Sequence, residues 1–273
     1  MSALISGLVS ITFRAESPRS IIEACRSAGL IAIEWGGDVH VPPGDLETAG
    51  TVGAATREAG LRLAAYGSYY RFEDVTGSRP GHEPAAVLDT AEALGAGVVR
   101  TWAGRRGSAE TPLEERAAIV AGARALGERA AGRGLVIAFE YHRNTLTDTA
   151  ESARTLLDEI AHPAVRSLWQ PPVGWDTDAT ESSLWSILPY LSHIHCFTWG
   201  PGGSADRRPL AEGTEAWLRY LRTAVSHEAS TRHELPVLLE FVPGDDLSVL
   251  RREAQTLRGW LAEVEAELRH GST

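Results

Sequence analysis

Cysteine is scarce in this sequence, and long apolar runs are missing. The chain of 273 residues has two cysteines, Cys25 and Cys196, and neither belongs to a CxxC pair. This spacing gives no sign of a disulfide framework or a thiolate zinc site. No stretch approaches the roughly 20 apolar residues that a membrane helix needs, and the N-terminus lacks the pattern of a signal peptide. We therefore expect a cytoplasmic protein without a membrane partner.

Blocks of one charge sign are also lacking. The chain carries 36 acidic and 26 basic side chains, for a formal net charge of −10, and the two signs alternate along the sequence. Phosphate backbones bind to basic faces, so nucleic acid is not an expected partner. No GxGxxG turn follows the first strand-like run, which argues against a dinucleotide-binding fold.

Short strand-like runs alternate with amphipathic helical stretches along the whole chain. The runs cover residues 6–13, 30–35, 61–67, 97–103, 135–142, 166–170, 192–198 and 236–242. The helical patterns cover 17–28, 46–59, 84–95, 112–133, 150–161, 180–190, 213–228 and 247–269. Strict alternation predicts a parallel sheet, and this number of units favours an α/β fold with a single (β/α)₈ TIM barrel over residues 1–273. An open doubly wound sheet is the alternative.

Four polar residues follow apolar runs in the second half of the chain. They are Glu140 in LVIAFEYH, Gln170 in RSLWQPP, His195 in HIHCFTW and Glu240 in PVLLEFV. Alternation along each strand points these side chains into the barrel, at the ends where barrel active sites form. Each residue alone would be an ordinary polar group at a strand end, but the four together are explained by one bound cation. Three oxygens and one imidazole suit Mn²⁺, Mg²⁺ or Co²⁺ better than a structural zinc.

These motifs resemble the xylose isomerase-like TIM barrels of the sugar phosphate isomerase/epimerase superfamily. The resemblance is carried by IEWGGDVHVP (33–42), FEYHRNTLTDT (139–149), HIHCFTW (193–199) and LLEF (238–241). It implies a divalent metal, Mn²⁺ first, on Glu140, Gln170, His195 and Glu240. It also implies that Glu140 and Glu240 are the catalytic acid and base. The implied activity is isomerisation or epimerisation of a small sugar through a metal-bound enediolate, by a protein that forms homodimers or homotetramers.

Three positions depart from the family pattern. Gln170 stands where aspartate is usual, Val173 where ketose epimerases carry histidine, and Thr198 where the strand-seven motif continues to aspartate. The amide removes one negative charge from the metal site and weakens its hold on a cation. The alternatives are therefore a lyase of the same superfamily (a dehydratase or a C-glycoside-cleaving enzyme) and a non-catalytic sugar-binding barrel. A phosphodiesterase of the endonuclease IV kind is disfavoured by the acidic balance and the single assigned histidine ligand.

Residues near other strand ends are candidates for contact with the substrate. Several aromatic residues around one barrel mouth predict an aromatic-walled pocket, suited to a sugar or an aryl glycoside, although any single tryptophan there is more often core. Arg100 either binds an anionic group of the substrate or pairs with an acid inside the barrel. The predicted substrate contacts are Glu34, Trp35, His40, Tyr66, Trp102, His142 and Trp199.

Overall fold

The computed structural model describes residues 4–72, 83–226 and 234–270. Eight parallel strands form a closed barrel in which the last strand pairs with the first, with Leu4 opposite Leu235. The strands are β1 Leu4–Val9, β2 Ala32–Gly36, β3 Arg62–Arg71, β4 Val98–Trp102, β5 Val136–Glu140, β6 Val165–Trp169, β7 Leu191–Cys196 and β8 Leu235–Leu239. This architecture confirms the predicted TIM barrel.

One helix follows each strand and packs outside the barrel. The helices are α1 Pro18–Ala28, α2 Leu46–Glu58, α3 Pro84–Leu94, α4 Leu113–Ala131, α5 Ala150–Ile160, α6 Thr177–Ile187, α7 Thr214–Ser226 and α8 Leu250–His270. Side-chain caps begin several of them: Asp45, Thr149 and Asp176 accept hydrogen bonds from the first turns of α2, α5 and α6. Such caps satisfy backbone N–H groups that have no partner within the helix. None of the helices in the described ranges has the length and apolar character needed to cross a membrane.

The two largest differences from the predicted strand boundaries are in β1 and β3. The run 6–13 becomes a strand to Val9 and then a buried 3₁₀ turn, Ser10–Phe13, because periodicity does not distinguish a short apolar turn from a strand. Strand β3 extends to Arg71, past the predicted end at residue 67. Its pairing with β4 shifts register between Gly67 and Tyr70.

The strands separate two cores, as their alternation predicts. Outward-facing residues such as Ile137, Phe139 and Ile194 belong to the large core between strands and helices. A smaller apolar cluster, which includes Ile5 and Leu238, is separate from it. Much of the remaining interior is polar, and that polar part is the candidate site.

Both cysteines lie in the outer core with fully buried thiols. Burial raises the pKa of Cys25 to about 12, and it also raises the pKa of Cys196. Because the thiolate is the reactive form, we expect the native protein to release no chromophore from Ellman's reagent at pH 8. In the denatured chain both thiols should react with the reagent. Rapid release of a full equivalent by native protein would contradict this burial.

Candidate active site

The four predicted ligand residues meet at the carboxyl-terminal end of the barrel. Glu140 ends β5, His195 lies on β7, and Gln170 and Glu240 directly follow β6 and β8. Their exposed fractions range from 0 to 8%. Two contacts link them in pairs: the Gln170 amide nitrogen donates to Glu140 Oε1 at 3.1 Å, and Glu240 Oε2 lies 3.3 Å from His195 Nδ1.

Glu140 is held by three N–H donors. Arg100 Nη1 at 2.5 Å and Trp102 Nε1 at 2.6 Å donate to Oε2, and the Gln170 amide donates to Oε1. Burial alone would raise the pKa of Glu140, but the charges of Arg100, His142 and His195 together outweigh it and the pKa is lowered. Glu140 is therefore a fixed anion, and it is a weak base near neutral pH.

Arg100 is a buried cation between two carboxylates. Its Nε donates to Glu34 Oε1 at 2.6 Å, in addition to the bond with Glu140, and the residue is 1% exposed. The Tyr69 ring lies over the guanidinium, with its centroid 4.9 Å from Cζ. Of the two roles that the sequence left open for Arg100, the structure shows pairing with barrel acids.

Glu34 lies inside the barrel, beneath the rim. Its Oε2 accepts hydrogen bonds from His193 Nε2 at 3.1 Å and His195 Nε2 at 2.9 Å. Burial would raise the pKa of Glu34, but His195 and Arg100 hold it well below its ordinary value. Glu34 is 0% exposed, so its predicted contact with substrate is wrong. The sequence assigned no role to His193, although the alternation in HIH places it on the same face as His195.

One ring nitrogen of His195 is hydrogen-bonded, and the other lies 3.3 Å from Glu240 Oε2. Its Nε2 donates to Glu34, whereas the buried Nδ1 has no hydrogen-bond partner among the described residues. Metal-binding histidines commonly donate their second ring N–H to a carboxylate in this way. Burial lowers the pKa of His195, but Glu34 and Glu240 raise it to about 10. The negative field that favours a proton on this ring also favours a divalent cation at Nδ1.

Two places for such a cation share His195. Ligand atoms of Glu34, His193 and His195 lie within 4.8 Å of one another, which makes them a possible metal site. However, this group is almost fully buried, with exposed fractions of 0 or 1%. The Nδ1 side faces Glu240, whose Oε2 lies 3.3 Å away and whose exposed fraction is 5%. The residues on the Nδ1 side therefore fit the cation better.

Trp35 and Tyr66 do not reach the rim. Both are 0% exposed and belong to the outer core. The Trp35 indole donates to Thr56 on α2 at 3.1 Å, and the Tyr66 hydroxyl donates to the Val41 carbonyl at 3.1 Å. The prediction that these two contact substrate is therefore wrong. His40 is 5% exposed, with Nδ1 2.9 Å from Ser10 Oγ, so it also lies below the rim.

Trp102, His142 and Trp199 remain at the mouth of the barrel. The His142 ring stacks on Trp102 with centroids 4.7 Å apart, and Trp199 stacks on Phe197 at 4.0 Å. His142, Gln170 and Trp199 line one cavity of about 320 Å³. Among the residues of this cavity wall that the sequence prediction missed are Arg143, Asp148, Phe197 and Phe241.

Two residues at the mouth adopt left-handed backbone conformations that non-glycine residues rarely take. Tyr69 has φ 57° and Phe241 has φ 60°. Tyr69 covers Arg100, and Phe241 directly follows Glu240. Such strain is concentrated at functional sites, so it marks this end of the barrel independently of the polar residues.

A closed parallel barrel with polar side chains gathered at the carboxyl ends of its strands defines a TIM-barrel enzyme. The sequence profile described as xylose isomerase-like TIM barrel matches residues 22–229. The chain belongs to this family, which confirms the resemblance drawn from its strand-end motifs.

Similar proteins include a 3-dehydroshikimate dehydratase of Bacillus anthracis, 34% identical over 98 residues. The match covers 36% of this chain and 35% of that protein, so it spans about a third of the relative's length.

Solved structures with this fold include the probable 3-DHS dehydratase AsbF from Bacillus anthracis. Its TM-score is 0.74 at 22% identity, covering 93% of this chain and 98% of that one. D-psicose 3-epimerase with D-tagatose from Clostridium cellulolyticum H10 has a TM-score of 0.68 at 17% identity, covering 96% and 99%. These likenesses show the shared fold.

Proposed function

We propose that this enzyme is a divalent-metal-dependent lyase that dehydrates a small hydroxylated carbonyl compound. The proposal rests on the different hydrogen bonding of the two rim carboxylates, Glu140 and Glu240. Glu140 accepts three N–H hydrogen bonds, whereas Glu240 has one looser contact, with its Oε2 3.3 Å from His195 Nδ1. An epimerase needs two groups that exchange a C–H proton on opposite faces, but elimination needs one base and one acid. The partial match to a 3-dehydroshikimate dehydratase supports the same choice.

Glu240 is the proposed base. It takes the proton from the carbon next to the substrate carbonyl, and the electron pair left behind forms the new C=C bond as the β-hydroxyl departs. Its neighbour His195 is fixed through Nε2 by Glu34, so the contact between Nδ1 and Glu240 is held in place. A positioned base of this kind contributes about 10²–10⁴-fold to rate.

His142 is the proposed acid. Its Nδ1 lies 2.6 Å from the Arg143 carbonyl and donates to it, and the Trp102 ring stacks against its face. In the imidazolium form, Nε2 gives a proton to the leaving hydroxyl, which departs as water. The substrate thus loses one proton to Glu240 and one hydroxide that leaves with the His142 proton, so the products are the unsaturated carbonyl compound and water.

We assign the metal to His195 Nδ1 and Glu240, with the Gln170 carbonyl oxygen and Glu140 completing the set. When bound, the cation polarises the substrate carbonyl as a Lewis acid. An oxygen-rich set with one imidazole favours Mn²⁺, with Mg²⁺ or Co²⁺ as alternatives. The neutral amide of Gln170 leaves two carboxylates opposite a divalent charge, so we expect weaker metal binding than with an aspartate at this position.

Isomerisation or epimerisation of a sugar is the second candidate. It is favoured by the presence of two rim carboxylates, Glu140 and Glu240, on a barrel whose fold a D-psicose 3-epimerase shares. Both reactions begin with removal of the same kind of proton. They differ in whether the neighbouring hydroxyl leaves.

Proton exchange in D₂O tests the proposal. The Mn²⁺-loaded enzyme is incubated with 3-dehydroshikimate and, separately, with D-fructose and D-psicose, and products are followed by NMR and ultraviolet absorbance. We expect loss of water and a conjugated product from the first compound, abolished by EDTA and restored by Mn²⁺. Deuterium entry into a ketose with its hydroxyls retained would support the isomerase. No exchange with any of the three would count against both.

A further inference from the structure

We infer that the cavity beside Gln170 binds a planar ring that carries a carboxylate, and that Arg143 selects that carboxylate. The inference rests on the proposed function, because the ring would be part of its substrate. The loops that follow β5, β6, β7 and β8 form the wall of this cavity. Gln170 lines this cavity and hydrogen-bonds Glu140, so the cavity adjoins the proposed reaction centre.

One part of the cavity wall is apolar and aromatic. Phe197 and Trp199 stack at 4.0 Å with an interplanar angle of 20°, and Phe241 lies 6.0 Å from Trp199. Val173 and Trp175 are 41% and 40% exposed on the same cavity. These side chains suit the face of a flat ring, which stacks on aromatic side chains.

The aromatic walls are held rigid before any ligand arrives. The Arg207 guanidinium lies 4.3 Å from the centre of the Phe241 ring and is itself paired with Asp245. The backbone carbonyl of Phe197 accepts a hydrogen bond from the Trp217 indole at 3.0 Å. A pre-formed wall reduces the entropy lost on binding. The volume of about 320 Å³ is at the lower end for ligand pockets and suits one ring with small substituents.

Arg143 supplies the charge that selects the substituent. It lines the cavity, is exposed, and forms no ion pair with any residue in the described ranges. Asp148 is the acid on the same cavity: its Oδ2 accepts a hydrogen bond from the Ser108 backbone N–H at 3.0 Å, and its Oδ1 is buried and has no hydrogen-bond partner among the described residues. An arginine can bind a carboxylate through two parallel hydrogen bonds. The accessible charge of this cavity is therefore a cation suited to a carboxylate.

Calorimetric titration with benzoate and with benzamide, its neutral counterpart, tests this inference on the Mn²⁺-loaded protein. We expect wild type to bind benzoate about five- to tenfold more tightly than benzamide, within the range of an accessible charge pair. Arg143→Met should remove the preference and leave benzamide affinity unchanged, and Arg143→Gln should repeat the result. Trp199→Leu should weaken both ligands. Arg19→Met and Trp185→Leu, on exposed parts of α1 and α6, are the matched controls.

The outcomes separate this inference from the proposed reaction. If the preference for benzoate survives in Arg143→Met, Arg143 does not select the carboxylate. Direct binding of benzoate to Mn²⁺ would give that result. Unchanged binding of both ligands by Trp199→Leu overturns the ring site. Because the titrations involve no turnover, a failed exchange experiment in D₂O beside an Arg143-dependent preference would reject the reaction and keep the site.

Discussion

Glu240→Gln is expected to lower turnover about 10³-fold or more while leaving the folded protein intact. The carboxylate is the proposed base, and the loss of a positioned base costs about 10²–10⁴ in rate. Its one contact is with His195 Nδ1 at 3.3 Å, and the oxygen of an amide of the same shape can still face that nitrogen. Initial rates and the thermal midpoint, measured on the same preparation, check the two halves of this expectation.

Glu140→Gln provides the informative comparison. That substitution leaves Arg100 Nη1 and the Trp102 indole facing a neutral acceptor, so it should lower the thermal midpoint as well as the activity. Glu263→Gln, on the exposed side of α8, should change neither. If Glu240→Gln retains more than a tenth of wild-type turnover, or if Glu140→Gln is the only inactive variant, the assignment of the base is wrong.

Period-two alternation carried much of the sequence prediction. It placed Glu140 and His195 inside the barrel and Phe139 and Ile194 outside, as the structure has them. The rule assigns neighbouring residues of one strand to opposite faces without any coordinates. The eight-fold repeat of strand and helix then brings the inward residues to one end.

The same rule exposes the main error. Glu34 and Trp35 are neighbours on β2, so their side chains must point to opposite faces, and they cannot both line the same pocket. The structure places Glu34 inside against His195, and Trp35 outside against Thr56. Neither reaches the substrate pocket. Glu34 is fully buried inside the barrel, and Trp35 is fully buried in the outer core.

Other features depend on contacts between distant segments. Arg100 and Glu34 are separated by 66 positions in sequence, and only the closed barrel shows that they pair. The left-handed backbone at Tyr69 and Phe241 follows from a register shift and a strand end, and neither residue type favours it. Arg143 is one of 26 basic residues, and its place on the cavity wall comes from the loop after β5.

Arg100→Met is expected to destabilise the fold by about 3–5 kcal/mol, the cost of leaving buried charges without their partner. The variant keeps Glu34 and Glu140 in the interior but removes the cation that both contact. For a chain of this size that energy corresponds to a fall of roughly 10 °C in the thermal midpoint. Arg62→Met is the matched control, because it breaks an ion pair with Glu234 whose side chains are 54% and 53% exposed. It should cost at most about 1 kcal/mol.

The loss of unfolding free energy in Arg100→Met should depend on pH. In wild type the pKa values of Glu34 and Glu140 are lowered by folding, so their contribution to stability is present above the ordinary glutamate value of 4.5 and is lost in acid. In Arg100→Met the same carboxyls lose that cation, so their pKa values rise and protonation relieves the buried charge. The difference in unfolding free energy, from urea titrations of both proteins, should therefore be smaller at pH 5 than at pH 7. A constant difference, or one as small as that of Arg62→Met, would mean that Arg100 does not balance the interior carboxylates.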